Sequence, residues 1–573
     1  MPKGYIAFVL HTHIPYVLGQ GSWPHGEDWL YEATAECYVP LIDTFLNMRD
    51  KGINFRLTMD ITPVLAEQLA SPAFSPNFQS YLHRKIDASA NDERYFGNTG
   101  QTELANAATW WRSFYEQVFE TFSGKFQYRV LPWLQSLAQS GHLELLTSSA
   151  THAYLPLLST DQAIDAQIKS GVACFQKFFG MKPRGIWLPE CAYRPGNKWI
   201  NPLSNQGFAE RPGIEKFLAD SNLQYCVLDT HLLTGQEAIG TFREKFQALK
   251  QILGSGDSGL DSAFERELTD RDSPFEPYWM ANTRQDNPPR VTALVRDMIT
   301  GLQVWSGNFN YPRDGWYMDF GKKHFPGGNR YWRITDINLD MVHKEPYNMN
   351  RASGKAMEHA THFVSLCQRI ADEYSERIGR PALIVAPFDT ELFGHWWREG
   401  VEWLANVQCL ASRDQVIAPT RLGDFCDQFP PQKGFLFPSG SWGEGGGDWT
   451  WMNERTRWIW ELIYQAEEKM TKLVSLTRKN RDQQMKTILT LCAQELMLLE
   501  ASDWSYLVTT LEAPDYASLR VSNHYENFNR LLRIANDYLP DGTLAEYHQA
   551  FLTHLSIDND FLGPIDPDWY FPR

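Results

Sequence analysis

The chain has no Cys-x-x-Cys pair, no stripe of Lys and Arg, no low-complexity tract, no internal repeat and no apolar run approaching a bilayer span. Each absence removes a class. Its eight cysteines stand at 37, 174, 191, 226, 367, 409, 426 and 492, so neither a zinc ribbon nor a redox motif is suggested. Scattered thiols suit a reducing compartment. The amino terminus offers no basic, apolar and small-residue succession of the kind that directs export, and a cytoplasmic protein is expected. With 53 basic against 69 acidic residues the formal net charge is −16, which disfavours nucleic acid or an anionic membrane as partner. A neutral substrate, no cofactor and a monomer are the expectations.

What is abundant is aromatic: 21 Trp, 24 Tyr and 33 Phe among 573 residues. Such rings either fill a large core or stack on the flat C–H faces of sugars. Several of the tryptophans sit in Gly-rich or polar loops, where a core role is less natural. A chain this long, with 43% hydrophobic residues, accommodates roughly two to four compact units.

Seven short apolar or β-branched runs read as strands, at residues 5–10, 53–59, 143–147, 185–188, 225–228, 291–295 and 383–388. Helical patterns separate most of them, which predicts βα units and a parallel sheet. Continuous apolarity predicts strands buried on both faces. Ionisable residues follow nearly every run. His11 and His13 come after the first, His152 after the third, and Glu190 after the fourth. Asp229 and His231 follow the fifth, Arg296 and Asp297 the sixth, and Asp389 the seventh. Collected at the C-terminal ends of parallel strands, these groups would line one pocket of an α/β fold, an incomplete (β/α)7 barrel.

Three spacings are too long for simple crossovers. Residues 66–140 predict a helical subdomain containing Trp110-Trp111. Residues 232–290 contain Gly254-Ser255-Gly256-Asp257-Ser258-Gly259, and are expected as either a lid or a surface loop. Residues 306–345 are rich in Gly, Tyr and Trp. The predicted domains are therefore 1–430, a catalytic barrel with insertions at about 66–140 and 232–290, and 431–573, mostly helical and contributing to the cleft.

Two of the strand ends look alike. Trp187-Leu188-Pro189-Glu190 and Val385-Ala386-Pro387-Phe388-Asp389 each run apolar, Pro, acid. Two carboxylates meeting in one cleft are the minimum equipment for cleaving a glycosidic bond. A carboxylate that attacks an anomeric carbon must stay ionised, so it needs hydrogen bonds or a cation; Arg296 and the histidines are candidates. Its partner must hold a proton near neutral pH, which the apolar neighbours of Asp389 favour. A strand-end acid is otherwise a helix N-cap. His11 and His13, spaced i and i+2, are compatible with zinc binding together with an Asp, with sugar hydroxyls, or with a purely structural role.

Taken in order, His11–Val17, 143–152, Trp187–Tyr193, 386–394 and 442–451 resemble the five sequence regions of glycoside hydrolase family 57, and most closely those of its 1,4-α-glucan branching enzymes. The resemblance runs from residue 4 to about residue 530. It implies a (β/α)7 barrel with a helical insertion and a helical C-terminal domain, and a retaining double displacement without metal. It makes Glu190 the nucleophile and Asp389 the general acid/base. His11, His13, His152, Arg296, Trp305, Gly315, Trp442 and Asp503 become substrate-binding residues, with Trp305 and Trp442 as aromatic platforms. Gly315 departs from the family pattern, since Asn310-Tyr311-Pro312-Arg313-Asp314 precedes it and Arg313 is the alternative contact.

The implied partner is an α-1,4-glucan such as amylose or glycogen. If a glucan 6-hydroxyl accepts the enzyme-bound chain, an α-1,6 branch forms; a 4-hydroxyl gives disproportionation and water gives hydrolysis. The choice would rest on the 232–290 insertion and on Trp305, Trp442 and Trp449. Tyr278 is the candidate for the tyrosine that closes the site in the usual branching enzymes. Two other classes compete: a zinc-dependent glycan hydrolase or deacetylase using His11, His13 and an Asp, and a non-catalytic glucan-binding protein.

Overall fold

The computed structural model describes the chain except residues 23–24, 205–207, 236–271, 282–289, 306–309, 480, 539–541, 556–560 and 573. Seven parallel strands organise it: β1 (Gly4–Thr12), β2 (Leu57–Ile61), β3 (Leu143–Leu146), β4 (Gly185–Ile186), β5 (Tyr225–Leu228), β6 (Thr292–Val295) and β7 (Ala382–Asp389). The ladder β7-β1-β2-β3 forms one sheet and β6-β5-β4 lies in the other. Two seams join them: parallel bridges pair Thr147 with Ile186 and Arg296 with Val385. With those bridges the seven strands run round in a ring, as the sequence pattern predicts. Most of the runs match these strands to within a residue or two. The second strand begins at Leu57 rather than 53: the chain leaves a turn at Lys51-Gly52 and runs irregularly through residues 53–56 before it joins the sheet.

Strand alternation decides which residues look into the ring. On β1, Ile6, Phe8 and Leu10 join the outer core while Ala7 and Val9 join the inner one. On β7, Ile384, Ala386 and Phe388 lie outside and Leu383 and Val385 inside. Side chains two apart share a face, so His11 and Asp389 continue the inward rows. On β2, Leu57, Met59 and Ile61 are outer, which turns Thr58 and Asp60 inward. Pairing then sets His11 opposite both Asp389 and Asp60. Three ionisable groups occupy one level of the barrel, at the C-terminal ends of adjacent strands.

Within 66–140 the chain builds two long antiparallel helices, α1 (Phe74–Asn98) and α2 (Thr102–Glu120), turned back by Gly100 at φ 74°. The helix α3 (Met349–Ile378) packs on β1 closely enough that a Cβ on Gly4 would stand 2.5 Å from that of Ala371. Beyond residue 450, α4 (Arg457–Thr477), α5 (Gln483–Leu499), α6 (Ser502–Thr510) and α7 (Pro514–Tyr538) pack together. From Leu491 to Leu499 every residue of α5 is buried, as befits a helix at the centre of its layer. Its end delivers the start of α6 to the barrel mouth, where Ala501 pairs with Ala153.

No described helix is long and apolar enough to cross a membrane. Of the 232–290 insertion, most lies outside the described residues, and the lid expected there with it. Tyr278 is described and corrects the expectation placed on it. It lies in a short strand, Tyr278–Met280, fully buried, with its hydroxyl bonded to the backbone of Ser273 and its ring against Phe435 and Phe437. It is a core residue.

Candidate active site

Glu190 occupies a tight turn, Pro189–Cys191, directly after β4 and Trp187. Glu190 and Cys191 adopt φ of 62° and 49°, and His152 adopts 61°. Left-handed backbone at residues other than glycine costs free energy and persists where surrounding contacts over-determine it. Here the contacts come from the segment 440–442. Gly440 and Tyr193 exchange both backbone hydrogen bonds, and the Trp442 N–H donates to the Glu190 carbonyl at 3.0 Å. His152 is fixed by its carbonyl, which accepts from the Ser502 N–H.

The carboxylate of Glu190 has two donors. The Trp442 indole Nε1–H reaches Oε2 at 2.7 Å and the Ser502 hydroxyl reaches Oε1 at 3.2 Å. Burial pushes its pKa up to about 7, against the pull of the Trp442 hydrogen bond; the Asp503 charge adds to the rise, while His13 and Ser502 oppose it. Trp442, expected as an aromatic platform at the cleft, is buried beside Glu190. It is 5% exposed, edge-on to Trp187 at 5.1 Å, and serves Glu190 as a hydrogen-bond donor.

Asp389 is provided for in the opposite way. Among the described residues no hydrogen bond stabilises its carboxylate. Burial, then the charges of Glu391, Glu190 and Asp60, lift it well above the usual carboxylate range. Of two acids in one pocket, one is given donors and the other is surrounded by like charge. Environments that push two carboxyls apart are what assigns one to ionised and the other to protonated work.

The histidines line up between them. His11 stacks on Trp187 and on His152, each at 4.9 Å, and His152 stacks on His13 at 4.1 Å. His11 Nδ1 meets Asp60 at 3.0 Å, and burial favours the neutral form of each partner, lowering His11 and raising Asp60. His13 Nε2 meets Asp503 at 3.1 Å, while Nδ1 meets the Thr62 hydroxyl at 2.9 Å. Burial disfavours a charge on His13, but the Asp503 carboxylate outweighs it and raises its pKa. His152 Nδ1 pairs with the Ser502 hydroxyl at 2.9 Å, and its burial keeps it neutral.

Among the described residues, His13, His152 and Asp503 bring three metal-ligand atoms within 4.8 Å of one another. The two imidazoles, however, are stacked with only 19° between their planes. Their in-plane lone pairs run side by side instead of converging on one point, and a tetrahedral zinc site requires convergence. The arrangement fits a hydrogen-bonding relay better than a chelate.

Other expected residues lie further out. Arg296 is buried and paired with Asp229 at 3.0 Å, and Asp229 also holds His231. Arg296 thus pairs with Asp229, while His13 is a cation whose charge acts on Glu190. Trp305 ends the helix Met298–Trp305, half-buried, with its ring 6.3 Å from that of Phe388, the neighbour of Asp389. Gly315 packs against Thr335, whose carbonyl would lie 2.4 Å from an added Cβ, and its own carbonyl accepts from Arg333. Close packing accounts for the glycine there.

Four participants escaped sequence reasoning. Asp60 is the last residue but one of β2, and a strand expected to stop at Met59 hides it. Glu391 follows Asp389 by two residues and was passed over beside Leu392-Phe393. Ser502 stands beside Asp503 at the start of α6. Tyr506 lies one helical turn beyond Ser502 on α6, and after burial and Glu512 the charges of Glu190 and Asp389 raise its hydroxyl. The carboxylates and the start-of-helix serine had local signals; the tyrosine had none.

Comparison with known proteins agrees with this architecture. The profile of glycosyl hydrolase family 57 matches residues 7–406, and that of the 1,4-alpha-glucan branching enzyme C-terminal region matches residues 462–570. The 1,4-alpha-glucan branching enzyme TK1436 of Thermococcus kodakarensis is 40% identical over 564 residues, covering 98% of this chain and 78% of that protein. Its crystal structure superposes with a TM-score of 0.89 at 38% identity, over 100% of this chain and 97% of that one. A branching enzyme of the same family from Pyrococcus horikoshii gives 0.87 at 35% identity, again over 100% and 97%. The alpha-amylase AmyC of Thermotoga maritima gives 0.79 at 26% identity, over 100% of both chains.

Proposed function

The chain belongs to glycosyl hydrolase family 57, and on that premise we propose that it is a 1,4-α-glucan branching enzyme. The observation that carries the choice within the family is the 40% identity, along 98% of the chain, to a protein of that name. The match of residues 462–570 to the branching-enzyme C-terminal region supports it. The chemistry follows from the unequal treatment of two carboxyls.

An α-1,4-glucan lies across the mouth of the barrel. Asp389, kept protonated by burial and like charge, gives its proton to the leaving glycosidic oxygen. Glu190, its negative charge supported by Trp442 and Ser502, attacks the anomeric carbon and forms a covalent glucosyl–enzyme intermediate. Asp389 then acts as base, taking the proton of a glucan 6-hydroxyl whose oxygen displaces Glu190. An α-1,4 bond is broken, an α-1,6 bond is made, and the anomeric configuration is retained. Retention by this route asks for carboxyls about 5–5.5 Å apart.

His13 and Asp503, joined by a hydrogen bond at the mouth, are read as contacts for sugar hydroxyls. His11 and His152 hold the stack beside them. Arg296, Trp305 and Gly315 are given outlying roles in the cleft. Residues 1–430 are read as the catalytic unit and 431–573 as a helical unit that lends Ser502 and Asp503 to it. The eight cysteines are free thiols, seven of them packed in or against the two apolar clusters, which suits a reducing, cytoplasmic setting.

Incubation with amylose tests the proposal. Proton NMR should report new α-1,6 anomeric signals with little gain in reducing ends. Reducing sugar without new branches would instead mean a hydrolase, and altered linear chain lengths a 4-α-glucanotransferase.

A further inference from the structure

The site contains a carboxyl that this mechanism leaves unused. Glu391 sits in the 3₁₀ turn Thr390–Leu392, two residues beyond Asp389, and is 4% exposed. Its Oε1 accepts from the Tyr38 hydroxyl and, at 3.2 Å, from the backbone N–H of His13. The same turn is fastened twice more. Thr390 and Thr12 share a hydroxyl hydrogen bond at 2.7 Å, and the Cys37 thiol donates to the Thr390 carbonyl at 2.9 Å.

Tyr38 and Cys37 belong to a π-helical turn, Thr34–Tyr38, a geometry that is rare and concentrated at functional sites. Gly394 allows that turn to approach: it takes φ 101°, and a Cβ there would stand 2.1 Å from the Glu36 carbonyl. Two strand ends, one carrying His13 and the other Asp389, are therefore clamped together through one buried acid.

We propose that Glu391 is a positioning residue that locks the Asp389 turn to the His13 turn and, by its negative charge, holds the proton on Asp389 until the glycosidic oxygen takes it. The inference rests on the reading of Asp389 as the general acid/base. Asp389 is faced by Glu391 from the turn that follows it, Glu190 from the β4 turn, Asp60 from β2, His11 from β1, and Tyr506 from α6. Glu190 loses its charge on forming the glycosyl ester, and burial holds Asp60 well above the usual carboxylate range. Burial raises Glu391 itself to about 7 against the pull of the Tyr38 hydrogen bond, so its charge is present on the alkaline side of neutrality and acts on Asp389 there after Glu190 has been esterified. The proton passes from Asp389 to the leaving oxygen and is replaced by that of the acceptor hydroxyl, so nothing is consumed.

Glu391→Gln separates charge from anchorage, because the amide oxygen still accepts from Tyr38 and His13. In the pH dependence of kcat/KM on amylose, the alkaline limb reports loss of the proton from Asp389. It should move to lower pH by about two units, the size of a like-charge coupling over roughly 6 Å at an effective dielectric near 20. KM should stay close to the native value. Glu391→Asp, which restores the charge, should return the limb towards its native position.

Should the glutamine variant not fold, Tyr38→Phe takes its place. Removing the donor makes Glu391 harder to ionise, and the limb should again move to lower pH, by less. An alkaline limb that superimposes on the native one in Glu391→Gln, or in Tyr38→Phe where that variant stands in for it, overturns the inference. Glu190→Gln and Asp389→Asn run alongside: turnover surviving in either would overturn the mechanism itself, and its loss in both confines any failure to Glu391.

Discussion

Replacing Trp442 by Phe should move the acid limb of activity and leave the barrel intact. The indole N–H reaches Glu190 Oε2 at 2.7 Å in a pocket where Trp442 is 5% exposed. A hydrogen bond to a charged group in such a setting contributes about 1.5–3 kcal/mol. Phenylalanine keeps most of the ring packing against Trp187 and deletes the donor, so that contribution is withdrawn from the ionised form alone. At 1.36 kcal/mol per unit, the Glu190 pKa should rise by roughly one to two units.

Glu190 already stands at about 7. As pH falls through a raised value, the attacking carboxylate is lost sooner. At neutral pH, where native Glu190 is about half ionised, the variant should therefore retain about a fifth to a fiftieth of native kcat/KM, and recover part of it on the alkaline side until Asp389 deprotonates. The assay is a pH series of initial rates on amylose, with thermal unfolding as a check on folding. A loss of rate that is the same at every pH, or confined to KM, would refute the assignment of Trp442 as the donor that keeps Glu190 ionised.

Two further outcomes follow from the same geometry. Ser502→Ala removes a longer bond to Glu190 and the partner of His152 Nδ1; kcat/KM should fall by about tenfold, near 1.4 kcal/mol, with a smaller upward shift of the acid limb in the same pH series. Arg330→Met strands the buried Glu36, which Arg330 and His395 hold ionised, and urea unfolding at neutral pH should reveal a loss of about 3–5 kcal/mol. Glu36 is depressed in the folded state, so its contribution is present above the unfolded carboxylate value near 4.3 and fades as pH falls below it; the deficit of the variant should shrink correspondingly in acid.

Both proposed reacting acids were legible in the sequence because each ends a strand after a proline, a local signature. The seven strands were legible for the same reason: runs such as Ile6–Leu10 are apolar on both faces, and only a ring with helices outside and side chains inside buries both. What could not be read depends on pairing. Asp60 is recognisable once β2 is known to oppose β1 in the register that sets it beside His11, and a frame displaced by a few residues destroys that alignment.

Trp442 carries the same lesson in the other direction. A tryptophan in a Gly-rich loop suggests an aromatic platform at the cleft, but the backbone zipper between 440–442 and the Glu190 turn draws it inward. Tyr38 and Glu391 meet across 353 residues. No periodicity reports such a contact.

Asp389→Asn, incubated with an activated α-maltosyl fluoride that needs no acid to leave, tests the pairing of Glu190 and Asp389 most directly. Peptide mass spectrometry should find one maltosyl group esterified to the fragment containing Glu190, accumulating because the base of the second step is missing. A label on any other residue, or rapid turnover with no label, would contradict the account.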